Sequence, residues 1–296
     1  MDDLWGCEMA PIEVRDVPKL PGRRADSHKG NYGRILVVAG SQGMSGAAAL
    51  AGAAALRGGA GLVRVVCPRT VWPLVAGYEP SYLTWPLPET PDGCLATDGV
   101  PEVIRLAEEN DYVVLGPGMG QGAFPAIREL IPRIRKPLVL DADGLNALAG
   151  GHLELLRQRE AATIITPHPG EFSRIVDRPV AEIQAMREEL AREFAELFGL
   201  VVVLKGYRTV VTDGTRVYVN STGNPGMATG GCGDVLTGLL AAFWAQLNDP
   251  LDAAIAAVYV HGLAGDHAAL ELTQESLIAS DLLAFVSDAI RELQAD

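Results

Sequence analysis

The chain has 296 residues, enough for two small domains or one large α/β domain, and 48% of them are hydrophobic although only 6% are aromatic. A formal charge of −13 repels nucleic acid and anionic lipid, so neither is an expected partner, whereas backbone N–H groups can bind phosphate without a basic surface. The four cysteines lack metal-ligand spacing, and no segment has the pattern of a signal peptide or of a membrane span, so we expect a cytoplasmic protein.

The first 30 residues are rich in proline and charge, which predicts an N-terminal arm, residues 1–30. The rest of the sequence contains neither a low-complexity linker nor an internal repeat. We therefore expect residues 31–296 to form a single domain.

Apolar strand patterns alternate with helical patterns from residue 34 onward. The predicted strands are residues 34–39, 62–67, 111–115, 137–140 and 163–166, and the clearest predicted helix is residues 180–198. Nearly continuous apolar strands separated by helices are typical of a parallel sheet that is buried on both faces. The sequence thus predicts an α/β fold built around such a sheet.

The pattern changes after residue 200. Three strand patterns, residues 201–205, 209–212 and 217–219, are joined by links that are too short for a crossover helix. Short links permit only antiparallel neighbours, so we expect the sheet to end in an antiparallel meander. A long helical region, from Asp234 to the end of the sequence, is predicted to follow.

The strongest site signal is the glycine-rich segment 226–238, GMATGGCGDVLTG, which leads into an apolar helix. Its glycines let the backbone approach a ligand closely, and the free N–H groups of a helix start favour a phosphate or an anionic transition state. Asp234 is then placed to accept a proton from a substrate hydroxyl that attacks phosphorus. The alternative is that Asp234 only caps the helix, although capping would not require the glycines.

A second glycine-rich segment, residues 40–46, follows a predicted strand and opens a helix. Its spacing is GxxGxxG rather than the GxGxxG of dinucleotide-binding folds, and the next strand ends in Cys67-Pro68-Arg69 without the expected acidic residue. A hydride-transfer enzyme of the usual NAD-binding type is therefore disfavoured. Contact with a ligand and close packing of helix against strand both remain open.

Three loops, residues 116–120, 141–146 and 166–171, follow predicted parallel strands and should converge where such sheets bind ligands. The acidic residues of these loops could orient a magnesium–phosphate complex through water, and turn formation is the alternative for Asp141 and Asp143. His168 lies between two prolines, so we expect it to face a ligand rather than the core.

The turn KGYRT, residues 205–209, joins two of the predicted antiparallel strands. A basic turn beside a phosphate site could hold the phosphates or the sugar of a nucleotide. An ordinary solvated hairpin is equally consistent with these five residues.

Together these segments resemble the ADP/ATP-dependent (S)-NAD(P)H-hydrate dehydratases, a family of the ribokinase-like superfamily. The resemblance rests on HKGNYGRILVVAGS, SGAAALAGAAALRGGAGLV, VVLGPGMG, PLVLDADGLNAL, ITPHPGEF, VVVLKGYRT, GMATGGCGDVLTGLLAAF and DPLDAAIAAVYVHGLAGD, which occur in order over most of the chain. It implies a ribokinase-like three-layer α/β/α sandwich, with a mostly parallel sheet and an antiparallel edge meander, as the catalytic domain.

The resemblance also implies a metabolite-repair activity. Members of the family act on the S epimer of hydrated NADH or NADPH, NAD(P)HX, phosphorylate its C6 hydroxyl with ADP or ATP, and eliminate phosphate to restore NAD(P)H. Mg²⁺ is the expected cofactor, and a homo-oligomer, with a tetramer as one form, is the expected assembly. The epimerase that interconverts the R and S forms is expected to be a separate protein.

The resemblance also implies roles for individual residues, assigned by their matching positions in the family's motifs. The residues implied to contact the hydrated dinucleotide are Ala47, Gly118, His168 and Asp234. Those implied to contact the adenine nucleotide are Lys205, Gly206, Tyr207, Arg208, Thr209 and Gly233. Catalysis is assigned to Asp234 as the base and to the amides of Gly231, Cys232 and Gly233, and Glu171 is the candidate metal ligand.

Two rival functions remain open at this point. A vitamin-precursor alcohol kinase of the same superfamily would share Asp234 and the glycine turn, whereas the segments around His168 and Ala47 favour the dehydratase. A binding-only protein would have no use for a base at position 234. The sequence does not distinguish ADP from ATP, or NADHX from NADPHX.

Overall fold

The computed structural model describes residues 11–295, in which ten strands form one sheet. The strands are β1 (Ile12–Glu13), β2 (Arg34–Val38), β3 (Leu62–Pro68), β4 (Leu83–Leu87), β5 (Tyr112–Leu115), β6 (Leu138–Leu140), β7 (Thr163–Ile165), β8 (Val201–Leu204), β9 (Val210–Thr212) and β10 (Arg216–Val219). Their order across the sheet is β1-β10-β9-β8-β7-β6-β5-β2-β3-β4. Every neighbouring pair is parallel except β8–β9 and β9–β10, which are antiparallel.

Helices cover both faces of this sheet. They are α1 (Ser45–Arg57), α2 (Trp72–Tyr78), α3 (Val100–Glu108), α4 (Phe124–Arg133), α5 (Asp143–Asn146), α6 (Glu154–Arg157), α7 (Pro169–Val176), α8 (Val180–Ala185), α9 (Arg187–Phe198), α10 (Cys232–Leu247), α11 (Pro250–Leu272) and α12 (Ala279–Ala295). Successive residues of β2 point to opposite faces, so Ile35 packs in the core formed with α1, α2 and α10–α12, and Leu36 in the core formed with α3–α9.

The predicted three-layer α/β/α fold, with its mostly parallel sheet and antiparallel meander, is therefore confirmed. Two strands were not predicted. Strand β4 contains Pro86 and exposes Trp85 at the edge of the sheet, features that weaken a strand pattern. Strand β1 has only two residues and pairs with β10, so the meander does not end the sheet.

The prediction of one helix over residues 180–198 was wrong, because the helix is broken at Met186. The backbone of Met186 has φ −126° and ψ 38°, which separates α8 from α9. Its N–H still bonds the Glu182 carbonyl, and its own carbonyl accepts the Leu190 N–H. Both helices bury their apolar residues in the same core, so the hydrophobic periodicity runs through the break.

The described part of the N-terminal arm lies against the domain. Val14 N–H donates to the Val217 carbonyl at 2.8 Å beside the β1–β10 pair, and the buried Leu20 accepts a hydrogen bond from the Gln294 side chain. Residues 1–10 of the predicted arm lie outside the described residues, and the division at residue 30 stays a prediction. None of the helices in residues 11–295 has the length and hydropathy needed to cross a membrane.

Close packing between α1 and α10 sets the position of the glycine turn. A side-chain carbon at Gly238 would collide with the Ala51 carbonyl, and one at Gly58 would lie 2.8 Å from Ala242 Cβ. These contacts pair the two helices in increasing order of residue number, so α1 and α10 run in the same direction. Their N-termini therefore lie side by side, near the carboxyl ends of the parallel strands.

Candidate active site

The glycine turn begins helix α10. Gly231 is the N-cap residue and has φ 98°, a left-handed conformation that glycine adopts without strain. A side-chain carbon at this position would also lie 2.8 Å from both Leu50 Cδ1 and Ala279 Cβ. The first N–H groups of a helix have no partner within it, so the turn formed by Gly231, Cys232 and Gly233 offers donors to an anion.

Asp234 lies in the first turn of α10, next to these donors. Burial raises the pKa of its carboxyl group to about 7, and the neighbouring Asp141 adds to the shift, although Lys205 opposes it. The helix is capped by a glycine, and within residues 11–295 no hydrogen bond ends on the Asp234 carboxylate, so the capping alternative receives no support. A half-buried carboxyl group with a pKa near 7 is suited to accept a proton at neutral pH.

Lys205 brings a positive charge to the turn. Its Nζ donates to Asp141 Oδ1 at 2.7 Å and lies 3.9 Å from Glu171 Oε2. Burial opposes the charged form, but the Asp141 and Glu171 carboxylates outweigh it, so the pKa of Lys205 is raised above its ordinary value. A side-chain carbon on Gly233 would lie 3.3 Å from Lys205 Nζ, which shows how close the ammonium group is to the turn.

Asp141 connects this ammonium group to α10. Its carboxylate is 1% exposed, and its second oxygen accepts the hydroxyl of Thr237 at 2.6 Å. Thr237 Oγ1 is also 2.9 Å from the Gly233 carbonyl. Asp141 therefore links Lys205 to α10, and its carbonyl also accepts the Gly144 N–H of the turn at 2.8 Å.

Asp143 has a different role in the same loop. Its Oδ2 accepts the N–H of Gly120 at 2.7 Å, and its Oδ1 accepts a weaker bond from Asn146. Asp143 thus holds the loop that follows β5 against the loop that follows β6. Of the two alternatives, loop formation describes Asp143 well.

His168 caps helix α7. Its Nδ1 accepts the N–H groups of Gly170 at 2.9 Å and Glu171 at 3.2 Å, and Glu171 Oε2 accepts the His168 N–H at 2.8 Å. Partial burial and the positive charges of Lys205 and Arg174 lower the pKa of His168, so the ring is neutral near pH 7, as its acceptor role requires. The side chain remains 50% exposed, which leaves a face of the ring open to a ligand.

Glu171 is buried beneath the His168 cap. Burial raises the pKa of its carboxyl group, and the nearby Lys205 offsets part of this rise. Within residues 11–295 there is no group of three or more His, Cys, Asp or Glu side chains that could hold a metal ion alone. Mg²⁺ is usually bound by one or two carboxylates and by substrate phosphates, so these oxygen donors fit an ion that arrives with a polyphosphate.

Ala47 and Gly118 are brought together by the loops that follow β2 and β5. Gly118 has φ 59°, and a side-chain carbon there would lie 2.7 Å from Ala47 Cβ and 3.1 Å from the Met44 carbonyl. The Ser41 hydroxyl donates to the Gly118 carbonyl at 2.9 Å and ties the two loops together. The two residues are therefore in close contact, a tight joint between the two loops beside the N-terminus of α1.

The residues of the KGYRT turn differ in their exposure to solvent. Lys205 points inward, whereas Gly206, Tyr207 and Arg208 are exposed, Tyr207 to 91%. The Thr209 hydroxyl donates to the Gly206 carbonyl at 2.9 Å and closes the turn. Within residues 11–295, Lys205 is the one residue of this turn whose side chain contacts the acidic residues of the site.

Three supporting residues were missed from the sequence. Thr237 lies within the segment GMATGGCGDVLTG, one helical turn after Gly233, and this spacing could have identified it. Arg187 donates to the Leu204 carbonyl at 2.8 Å and anchors the strand that leads to Lys205, and His261 contacts the Cys232 carbonyl at 2.9 Å. The last two contacts join distant segments and leave no local signal.

Comparisons with known proteins identify the family of the chain. The family model described as NAD(P)H-hydrate dehydratase matches residues 35–287. The bifunctional NAD(P)H-hydrate repair enzyme Nnr of Moorella thermoacetica is 43% identical over 282 residues, which make up 94% of this chain and 53% of that protein. The chain spans about half the length of the curated relatives that it matches.

Solved structures match the fold over nearly the whole chain. The ADP/ATP-dependent NAD(P)H-hydrate dehydratase of Bacillus subtilis, co-crystallised with ATP and Mg²⁺, matches with a TM-score of 0.79 and 34% identity, over 93% of this chain and 95% of that one. A ribokinase-like superfamily protein of Enterococcus faecalis, 24% identical with a TM-score of 0.77, shares the fold over 93% of this chain and 92% of its own. The chain has a ribokinase-like fold and belongs to the NAD(P)H-hydrate dehydratase family.

Proposed function

We propose that this protein dehydrates the S epimer of NAD(P)HX, using ADP or ATP as the phosphoryl donor. The observation that carries the proposal is the position of Asp234, a carboxyl group with a pKa of about 7 beside the free N–H groups of α10 and the ammonium group of Lys205. A base, anion donors and a positive charge are the parts that phosphoryl transfer to an alcohol requires.

The first step is phosphorylation of the substrate. Asp234 accepts the proton of the C6 hydroxyl while that oxygen attacks the terminal phosphorus of the nucleotide, and the bond to the bridging oxygen breaks to release AMP or ADP. The amides of Gly231, Cys232 and Gly233 stabilise the negative charge that moves across the phosphoryl group. Lys205, held by Asp141, adds a fixed positive charge on the same side.

The second step is elimination of phosphate. The lone pair of the ring nitrogen expels the C6 phosphate, which is a far better leaving group than hydroxide. Loss of a proton from C5 then restores the C5–C6 double bond of the dihydropyridine. The products are NAD(P)H, inorganic phosphate and the shortened nucleotide.

The proposed contacts fall into one set of residues for each ligand. Ala47, Gly118 and His168 would contact the hydrated dinucleotide, which the tight Ala47–Gly118 joint and the half-exposed His168 ring support. The residues proposed to contact the nucleotide are Lys205, Gly206, Tyr207, Arg208, Thr209 and Gly233. The position of Lys205 between the turn and the acidic residues supports this arrangement.

A magnesium ion would supply charge neutralisation to the polyphosphate, and we propose Glu171 as a ligand that holds it, directly or through water. The relative from Bacillus subtilis was crystallised with ATP and Mg²⁺, which supports use of such a complex by this chain. The choice between ADP and ATP belongs to the same proposal.

We further propose a cytoplasmic homo-oligomer, with a tetramer as one form, that works with an NAD(P)H-hydrate epimerase. Cys67, Cys94 and Cys232 are free thiols, as expected in a reducing compartment. The curated relatives are bifunctional repair enzymes of about twice this length, which supports an epimerase in the same pathway.

The decisive experiment is incubation of the protein with hydrated NADPH, Mg²⁺ and either ADP or ATP. We expect the absorbance band of reduced nicotinamide to return, with one phosphate released for each NADPH restored. A reaction without nucleotide is the control. A phosphorylated vitamin-precursor alcohol, with no recovery of the band, would identify a kinase instead.

A further inference from the structure

Residues 261–266 of α11, HGLAGD, hold both ends of the loop that connects β10 to the glycine turn. Its glycines let the connecting loop, residues 220–231, approach the helix closely. Of its two polar side chains, Asp266 contacts Gly223 near the start of that loop, and His261 contacts Cys232, the residue that directly follows it.

Asp266 fixes the end that is far from the site. Its Oδ2 accepts the Gly223 N–H at 2.8 Å, and its Oδ1 accepts the Asn224 side chain at 2.9 Å. Asn224 Oδ1 in turn accepts the Gly226 N–H at 3.0 Å. This end of the loop is therefore anchored to α11 by side-chain hydrogen bonds.

Two helix glycines provide the room for this contact. A side-chain carbon at Gly262 would collide with Thr222 Oγ1, and one at Gly265 would collide with Met227 Sδ. A glycine inside a helix is less favourable than an alanine. The close approach of the loop offsets that cost.

His261 contacts the glycine turn itself. Its Nε2 lies 2.9 Å from the Cys232 carbonyl oxygen, and because a carbonyl only accepts hydrogen bonds, Nε2 carries the hydrogen. Burial lowers the pKa of His261 to about 4, so the ring donates as a neutral imidazole across the neutral pH range.

The contact acts on one particular peptide group. The Cys232 carbonyl and the Gly233 N–H belong to the same planar, trans peptide, so they point in opposite directions. A donor on the carbonyl thus fixes the direction of the Gly233 N–H. It also polarises the group, which makes that N–H a stronger donor.

We propose that His261 is a positioning residue, which aims and polarises the Cys232–Gly233 peptide so that the Gly233 N–H meets the phosphoryl group in the transition state. This inference rests on the proposed phosphoryl transfer for its catalytic consequence. The effect on the peptide itself follows from the contact alone.

Kinetics of two variants test the catalytic part. His261→Leu removes the donor, and kcat should fall between about tenfold and a hundredfold, less than the loss of a whole oxyanion donor, while KM for the nucleotide changes little. His261→Gln keeps an N–H donor at a similar reach and should recover most of kcat. His267→Leu, on the same helix but away from the turn, is the matched control and should keep the wild-type kcat.

The Gly233 amide resonance tests the peptide directly, in protein labelled with ¹⁵N-glycine. Loss of the bond to the preceding carbonyl should shift this resonance in His261→Leu and leave it near its wild-type position in His261→Gln. An unmoved resonance, or equal kcat in Leu and Gln variants, would overturn the inference. If His261→Leu does not fold, His261→Asn, which is too short to reach the carbonyl, takes its place under the same criteria.

The two proposals fail in different ways. A wild-type protein that never restores NADPH would refute the proposed function, whatever the resonance does. If the wild-type protein restores NADPH but the Gly233 amide resonance does not move in His261→Leu, only the inference about His261 is refuted.

Discussion

Lys205 and Asp141 form an ion pair that spans a strand of the sheet. Lys205 follows β8 and Asp141 follows β6, so the 2.7 Å contact between them passes over the end of β7. Asp141 is 1% exposed and Lys205 is 18% exposed, so water screens this pair little. The pair places opposite charges beside Asp234, and both charges affect its pKa.

Asp234→Asn should lower kcat by about a thousandfold, because the side chain can no longer accept a proton from the substrate. The Kd for the nucleotide, measured by calorimetry, should change by less than about threefold, because the amides and Lys205 remain. Loss of turnover and nucleotide binding to the same extent would instead indicate a role in folding or binding.

The pH dependence of kcat/KM should show the titration of Asp234. The base must be ionised, so kcat/KM should decrease as the pH falls below about 7, the value to which burial and Asp141 raise the pKa of Asp234. Asp141→Asn removes one of the charges that raise it and should move the acidic limb to lower pH. An acidic limb at the same pH in both proteins would contradict this prediction.

Asp234→Asn should also stabilise the fold at alkaline pH. Burial raises the folded-state pKa of Asp234 from 3.8 to about 7, so the stabilisation from its protonated form is complete below about pH 4 and is lost as the pH rises through 7. The variant does not ionise and should gain on the order of 2 kcal/mol at pH 8 relative to wild type. Urea denaturation at pH 8 and pH 5 measures this, and the gain should be smaller at pH 5.

Lys205→Met should destabilise the protein by about 3 kcal/mol, because it leaves the buried Asp141 carboxylate without its cation. Adding Asp141→Asn removes that charge, and the double variant should recover most of the lost free energy of unfolding, measured by urea denaturation. Nucleotide affinity should stay low in both proteins, since neither has the ammonium group. Equal stability of the single and double variants would show that the pair contributes little.

Gly118→Ala should raise KM for the hydrated dinucleotide and leave KM for the nucleotide unchanged. The added methyl group would press against Ala47, 2.7 Å away. Gly150→Ala is the matched control, because Gly150 also has a positive φ of 76° but has open space around its α-carbon. Both variants bear the strain of a positive φ, but Gly118→Ala should lose more stability because of the added clash, and only Gly118→Ala should change KM.

The sequence predicted those features that depend on local pattern. The alternation of strands and helices, the short links of the meander and the glycines before α10 each have a local physical signature, and the structure contains them all. The break at Met186 had no local signature, because α8 and α9 bury their apolar residues in the same core. Strand β4 was not predicted, because its proline and its exposed residues weaken the apolar strand pattern.

The residues of the candidate site were named from the sequence, but the contacts between them were not. The residues Asp141, Lys205 and Asp234 were each identified, but the partner of Asp141 depends on the order of β6, β7 and β8 in the sheet. Residues 64 positions apart in sequence carry no sign that they meet. The contact of His261 with the glycine turn is hidden for the same reason.

Because α1 and α10 pack closely in parallel, a substitution in their contact should affect the reaction without touching either ligand. Gly238 is one turn after Asp234 on the same face of the helix, and Ala51 is one turn after Ala47. Any side chain at position 238 would push the two helices apart and separate Asp234, the proposed base, from Ala47, a proposed contact of the dinucleotide. A mutation that touches neither ligand could thus yield a folded, inert protein, and a screen for inactivating changes should recover position 238 as readily as the base itself.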